Sequence, residues 1–474
     1  MSGEITLPFW IFAILLLTFG LVFFQYVIYP LVASFISARA RMVTEELNPM
    51  LQLEMSQFTL TRRHVLADRL ASDPEVEARL EEFARHKGLT KEQIRREAWR
   101  YAWDIVPSFN PYFYFRLGYR MARAGIRALY KMRVAFEDEA SMADVKSDNA
   151  VVFIINHRSN IDYPMANYLT SKRTMLSFGV GEWSRVWPLQ PLFRMAGGYF
   201  VRRGEEDPLY RLLLKRYVQM ATEARVPHAI FIEGQLCNDG SVNPARVGIL
   251  SYITEHFDPE KTPDLQFIPI GLNYDQVVED VNTVRFSSAE FQAKGRIYVL
   301  RKGVAFMMRV MVELILRRQR FGLHCSNFGR PISFTEWLDA RGVSWPDLDR
   351  EARFAHIQAL GDELTGRIRA LVPATPMSVL CRSWFEHPEA SLSRSEAEAQ
   401  FRDTAARLRD AGCYVALFND SLSESFQKAL AHALDRAMLV QGRDGLLFAP
   451  ARKRALVNYY GNSVSQFLED IPET

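Results

Sequence analysis

Residues 151–155, Val-Val-Phe-Ile-Ile, form an apolar, largely β-branched run that stops abruptly at Asn156-His157-Arg158-Ser159-Asn160. Such a run reads as a strand buried on both faces. Pro164 is tolerated only in the first turn of a helix, so a helix begins close to Asp162. His157 is thereby placed in a strand-to-helix turn, with a carboxylate five positions on. Along one helix that spacing points two side chains to different faces; across a turn they can meet. A carboxylate that accepts the proton of one imidazole nitrogen leaves the other nitrogen as a base. Two plainer readings stay open: Asp162 as a helix cap, and His157 as a loop histidine satisfied by backbone.

Further strand-like runs follow at 175–180, 199–202, 228–232, 266–272 and 297–300, with 150–155 the first of the series. Helical stretches at 208–225 and 243–256 separate some of them. The alternation predicts an α/β fold with a mixed, largely parallel sheet and flanking helices. Residues 305–320 read as a second amphipathic helix, too charged to span a bilayer. Beyond about Pro373 the pattern turns helical, at 394–410, 423–438 and 452–468, with one short strand at 414–418.

The N-terminus has its own signature. Residues 5–38 carry no charge, and residues 7–28 are apolar apart from Thr18, Gly20 and Gln25. About 20 apolar residues span a hydrocarbon layer. Trp10, Tyr26 and Tyr29 suit its interfacial belts. A cleaved signal peptide needs a basic start, whereas the charged residue before this run is Glu4. Arg39 and Arg41 follow the span, which predicts a single-pass anchor with the bulk of the chain cytoplasmic. Next come helices opened by Asp73-Pro74-Glu75 and, past Gly88-Leu89-Thr90, by Lys91. Arg116, Arg120, Arg123, Arg127 and Lys131 recur at helical spacing beside Leu117, Met121, Ala124 and Ala128, a basic amphipathic face suited to anionic lipid or simply to water. The expected organisation is thus 1–38 membrane anchor, 39–145 helical region, 146–372 α/β domain and 373–474 helical C-terminal region.

Composition removes several classes. A net charge of +3 over 474 residues gives no case for nucleic acid. Four scattered cysteines, Cys237, Cys325, Cys381 and Cys413, suggest neither a zinc site nor a disulfide framework. There is no phosphate-loop lysine motif, no H-E-x-x-H and no G-x-S-x-G. Gly179-Val180-Gly181 lacks the third glycine of a dinucleotide loop. No cofactor is expected.

Three more blocks lie at strand ends. Gly197-Gly198-Tyr199-Phe200-Val201-Arg202-Arg203 delivers two arginine forks suited to phosphate. Phe231-Ile232-Glu233-Gly234 brings a carboxylate and a glycine. Ile268-Pro269-Ile270-Gly271-Leu272-Asn273-Tyr274-Asp275 reads as a buried strand with proline at its start, there for packing rather than chemistry.

In this order the four blocks, from about Asn149 to Ile332, resemble the glycerol-phosphate and lysophosphatidate acyltransferase superfamily. His157-Arg158-Ser159 with Asp162-Tyr163, Gly198 to Arg203, Pro244-Ala245-Arg246-Val247-Gly248 and Ile270 to Asp275 look like its glycerol-3-phosphate branch. Leu456-Val457-Asn458-Tyr459-Tyr460-Gly461-Asn462-Ser463 is similar to a stretch of the longer bacterial members. The resemblance implies His157 as general base and Asp162 as its orienter. It implies Arg158, Ser159, Gly198, Arg202, Arg203, Glu233, Gly234 and Arg246 around the acceptor. The donor it implies is an acyl thioester (acyl-CoA or acyl-carrier protein), the acceptor glycerol 3-phosphate, the partner membrane lipid, and the location a bacterial inner membrane. One departure bears on the acceptor. The family follows Glu-Gly with an arginine–serine pair, whereas this chain has Gln235-Leu236-Cys237. A lysophosphatidate or other lyso-lipid acyltransferase is the alternative enzyme, and a non-catalytic lipid-surface tether the alternative of another class.

Overall fold

The computed structural model describes residues 9–47, 51, 53–140, 145, 148–171, 173–181, 184–185, 189–202, 207–285, 301, 312, 321–385 and 390–468. Eight strands form one sheet: β1 (Lys131–Phe136), β2 (Ala150–Ile155), β3 (Ser177–Val180), β4 (Gly198–Phe200), β5 (His228–Phe231), β6 (Leu265–Tyr274), β7 (Leu323–Phe328) and β8 (Ile332–Ser333). Their spatial order is β1-β7-β6-β2-β5-β3-β4, with β8 also on β6. β6, β2, β5, β3 and β4 run parallel, while β7 and β8 lie antiparallel to β6 and β1 lies parallel to β7. The sheet is mixed and largely parallel, with helices on both faces.

β2 shows why the apolar run is continuous. Ala150, Val152 and Ile154 enter one hydrophobic core, and Val151, Phe153 and Ile155 enter the other. With side chains alternating across the pleat, a strand covered on both sides has no solvent face to encode. The first core takes in the helices Arg63–Ala71, Pro74–Lys87, Lys91–Ile105, Pro208–Glu223 and Arg350–Leu371. The second takes in Asp162–Thr170 and the C-terminal helices Pro376–Phe385, Arg394–Asp410, Leu422–Asp435 and Arg454–Asn462. The helix starts follow their caps. Asp73 accepts from the amide of Glu75 ahead of Pro74, and Thr90 forms a capping box with Gln93.

Several expectations need correction. Pro269 lies inside β6, not at its start. Its carbonyl accepts from the Gly329 amide, so its missing N–H faces the same gap, between β7 and β8, where no ladder bond is lost. Lys131 opens β1 instead of closing the basic helix, which ends at Leu129. Only Gly248–Thr254 of the stretch 243–256 is helical, because Asn243 and Arg246 are bound to the end of β5. Residues 414–418 contribute one bridge, Val415 to Ala374, before a 3-10 turn at Phe418–Asp420. The last helix covers Arg454–Asn462 alone. The expected strand at 297–300 and nearly all of the helix at 305–320 lie outside the described residues.

Toward the N-terminus, helical turns run on from Phe9 to Leu47, with a π-helical segment at Phe24–Ile28. Residues Ile14–Val32 are long and apolar enough to cross a membrane, and none of that stretch is buried against the protein. This is compatible with membrane association. Near the helix end, Arg116 pairs with Glu46 and Phe35 meets Tyr112 edge-on. Leu117 and Met121 stay exposed beside the arginines of the helix Tyr119–Leu129.

Candidate active site

Because β6, β2 and β5 are adjacent and parallel, their C-terminal ends share one edge of the sheet, the edge where open α/β sheets bind ligands. Ile155 is level with Phe231 on one side and Ile270 on the other. Residues leaving β2 therefore emerge between those leaving β5 and the last turn of β6. Asn156 extends the sheet one step further with its side chain. Its Nδ2 donates to the Leu272 carbonyl at 3.0 Å, and its Oδ1 accepts from the Leu272 amide at 2.8 Å. The backbone can then turn away at His157 without leaving β6 unpaired.

Inside this turn His157 and Asp162 face each other, with Nδ1 3.0 Å from Oδ2. The same Oδ2 accepts from the amides of Arg158 (2.7 Å) and Ser159 (2.9 Å). Oδ1 accepts from the Tyr274 hydroxyl at 2.5 Å. The carboxylate thus turns back over its own loop and does not cap the helix it begins, so the plain capping reading of Asp162 fails. Four donors hold it in one orientation, and hydrogen bonds of this kind to an ionised group are the strong ones. The imidazole stacks on Phe231, with centroids 4.3 Å apart, and meets Tyr163 edge-on. Its exposure is 2% and that of Asp162 is nil. Among the described residues Nε2 has no hydrogen-bond partner, which leaves it as the atom able to take a proton.

Glu233 supports the histidine from below. Oε1 accepts from the His157 amide at 2.7 Å, while Oε2 accepts from the backbone and side-chain nitrogens of Asn243 at 2.9 and 2.8 Å. Burial pushes its pKa up, and the amides of His157 and Asn243 offset part of that. Glu279 does the same for the far side of the turn. It accepts from Ser159 Oγ at 2.9 Å and from the Asn160 amide at 2.5 Å, and burial again raises its pKa.

Arg158 is buried away from the imidazole. Its Nη1 donates to the Gly240 carbonyl, and its guanidinium lies 5.0 Å from the centre of the Tyr459 ring. That contact ties the turn to the C-terminal helix. Gly240 has φ +95°, and a Cβ there would sit 1.7 Å from the Tyr459 carbonyl oxygen, so only glycine fits. Cys237 is buried with its thiol pushed up to about 12 by burial, and its amide donates to the His157 carbonyl.

The arginines after β4 stand apart from the dyad. Two strands separate β4 from β2, roughly 14 Å across the sheet at about 4.8 Å per strand. Arg202 Nη2 donates to Asp104 Oδ2 at 2.8 Å, and its guanidinium rests 5.2 Å from the ring centres of Tyr101 and Tyr210. Arg203 lies outside the described residues. Gly198 is required by close packing, since a Cβ would meet the Phe193 carbonyl and Val180 at 2.9 Å. Gly234 takes φ +65° against the side chain of Arg246, which is exposed. The structure thus brings together His157, Asp162, Ser159 and Glu233, with Gly234 and Arg246 at the rim, and sets Arg202 apart. Asn156, Tyr274 and Glu279 complete the site without having been singled out by sequence. Tyr274 corrects the packing-only reading of the fourth block, whose alternation of apolar residues hid a hydroxyl aimed at Asp162.

Residues 134–273 match the family described as acyltransferase, and residues 312–468 match the glycerol-3-phosphate acyltransferase C-terminal region. On these two matches the chain resembles the acyltransferase superfamily. It is similar to the glycerol-3-phosphate acyltransferase of Aeromonas hydrophila, 24% identical over 358 residues, covering 74% of this chain and 43% of the relative. The enzyme of that name from Actinobacillus succinogenes is 23% identical over 424 residues, covering 86% and 50%. That from Pseudomonas fluorescens is 22% identical over 436, covering 85% and 48%. These likenesses support the glycerol-3-phosphate branch, and the chain spans about half the length of these curated relatives. Among solved structures, the 1-acyl-sn-glycerophosphate (LPA) acyltransferase PlsC of Thermotoga maritima is 13% identical and covers 70% of this chain and 98% of its own, with a TM-score of 0.30.

Proposed function

We propose that the protein transfers a fatty acyl group from a thioester, acyl-CoA or acyl-carrier protein, to glycerol 3-phosphate, without a cofactor. The observation that carries this reading is the His157–Asp162 pair at the C-terminal edge of the sheet, with Nδ1 engaged by the carboxylate and Nε2 unpartnered among the described residues. Nε2 takes the proton of the acceptor hydroxyl as its oxygen forms a bond to the thioester carbonyl carbon. The tetrahedral intermediate collapses by breaking the C–S bond, and the imidazolium returns the proton to the leaving thiolate. Asp162 stabilises the imidazolium in between. General-base assistance of this kind supplies about 10²–10⁴-fold in rate. Glu233 and Glu279 act as positioning residues on the turn. Arg246, at the rim of the same turn, holds the acceptor phosphate, and the apolar N-terminal helix anchors the chain in a bacterial inner membrane with the sheet domain cytoplasmic, where thioester donors are found.

A lyso-lipid acceptor is the second reading, supported by Gln235-Leu236-Cys237 standing where the family carries an arginine–serine pair. Acyl incorporation by the purified, detergent-solubilised chain separates them. Transfer to glycerol 3-phosphate in preference to lysophosphatidate is expected; transfer to lysophosphatidate alone reverses the assignment.

A further inference from the structure

Four guanidiniums gather around one carboxylate beside the apolar N-terminal helix. A cavity of about 350 Å³ is lined by Tyr29, Arg63, Trp103, Asp104, Gln190 and Arg194, among others. Asp104 is already engaged, for its Oδ2 lies 2.8 Å from Arg202 and 3.6 Å from Arg185. Arg63 and Arg194 are seated instead on main-chain oxygens at the C-terminal end of the helix Lys91–Ile105. Arg194 donates to the carbonyls of Asp104 at 3.0 Å and Val106 at 2.8 Å, and Arg63 donates to that of Trp103 while stacking 4.0 Å from its ring centre.

These carbonyls fix two forks side by side but neutralise neither charge in full. Arg194 is only 5% exposed, and among the described residues the buried Arg63 Nε has no hydrogen-bond partner. The strain shows in their proton affinities. Burial and the neighbouring Arg63 push Arg194 down to about 9, and burial pushes Arg63 down to about 10 although Asp104 and Tyr29 act the other way. Two cations held where their charge is costly are what an anion would relieve. Arginine forks in a fixed arrangement match the tetrahedral oxygens of a phosphate. The cavity is of a size with small-molecule sites. Tyr29 belongs to the Ile14–Val32 stretch, near its C-terminal end, which sets the cavity at the depth of a bilayer surface.

We infer that Arg63 and Arg194, with Asp104 and Gln190 at the wall, form a binding site for a phosphate monoester at the membrane boundary, distinct from the His157 turn. The phosphate comes from a lipid headgroup or from a soluble ester. Equilibrium binding to the full chain in non-ionic detergent, with inorganic phosphate and with a short-chain phosphatidate as probes, tests this. Arg63→Gln removes one fork, and Gln190→Glu places a competing negative charge in the cavity. Each lowers phosphate affinity by about tenfold or more, the worth of one charge-assisted contact. Gln190→Glu additionally raises Tm in phosphate-free buffer, because it supplies the missing anion. His157→Ala keeps the binding whatever it does to acyl transfer, so failure here and failure of the proposed reaction are told apart. Tighter binding of phosphatidate than of phosphate identifies a headgroup, and equal binding a soluble ester. No binding of either probe to the unmodified chain overturns the inference, as does unchanged affinity in both folded variants.

Discussion

Replacing Asp162 by Asn separates the geometry of the dyad from its charge. The carboxylate accepts four hydrogen bonds, three at Oδ2 from His157 Nδ1, Arg158 N and Ser159 N, and one at Oδ1 from Tyr274. An asparagine with its oxygen at the Oδ2 position keeps the first three. Its amide then faces the Tyr274 hydroxyl, which rotates to accept. The cost to folding is therefore small, about 1–2 kcal/mol for one weakened bond to a formerly charged group. Catalysis loses much more. At an effective dielectric constant near 20, an imidazolium and a carboxylate with centres about 4 Å apart attract by about 4 kcal/mol. Since about 1.4 kcal/mol is a factor of ten, kcat/KM should fall about 10³-fold. Thiol release from an acyl thioester in the presence of glycerol 3-phosphate measures the rate, and thermal unfolding of the same sample measures the fold. An Asp162→Asn protein that folds normally and transfers acyl groups within about threefold of the unmodified chain would refute this reasoning.

Two other outcomes follow from the same contacts. Tyr274→Phe removes one donor from the ionised Asp162 and should cost about 1.5–3 kcal/mol in denaturant unfolding, with kcat/KM lower by about tenfold; no change in either would make Tyr274 a packing residue after all. Burial pushes His228 down to about 4 and His324 down to about 3. An unfolded histidine takes its proton near pH 6.5, so the unfolded state binds more protons as pH falls from about 6.5 to 4, and each residue removes about 1.4 kcal/mol of stability per pH unit there. Denaturant unfolding of His324→Gln between pH 7 and 4 should show that dependence flattened by one such contribution, and an unchanged slope would contradict it.

How far the sequence carried the fold depended on whether contacts were local. β2 was legible because both of its faces are buried, and the turn at Pro164 fixed where its helix begins. β1 was not. Its Lys131-Met132-Arg133-Val134-Ala135-Phe136 is a half-exposed strand that, among the described residues, pairs with β7 alone, and Lys131 continues the arginine spacing of the preceding helix. β7 hid for the opposite reason, since buried polar residues such as His324 and Ser326 satisfy each other at 2.6 Å and break the apolar pattern. In the site, the His157–Asp162 contact spans five residues and could be read from the turn. Glu279 reaches Ser159 across 120 residues, and Tyr274 reaches Asp162 across 112. No local spacing encodes such pairs; the strand order does. The same holds for Arg202, whose partner Asp104 ends a helix 98 positions earlier.

Everything in the proposed reaction passes through Nε2 of His157. Removing the ring by His157→Ala leaves Asp162 its bonds from Arg158, Ser159 and Tyr274, so the turn has the means to stay folded. Single-turnover acyl transfer to glycerol 3-phosphate by the purified full chain should drop about 10²–10⁴-fold while Tm stays within a few degrees of the unmodified protein. Undiminished transfer by a folded His157→Ala protein would contradict the account.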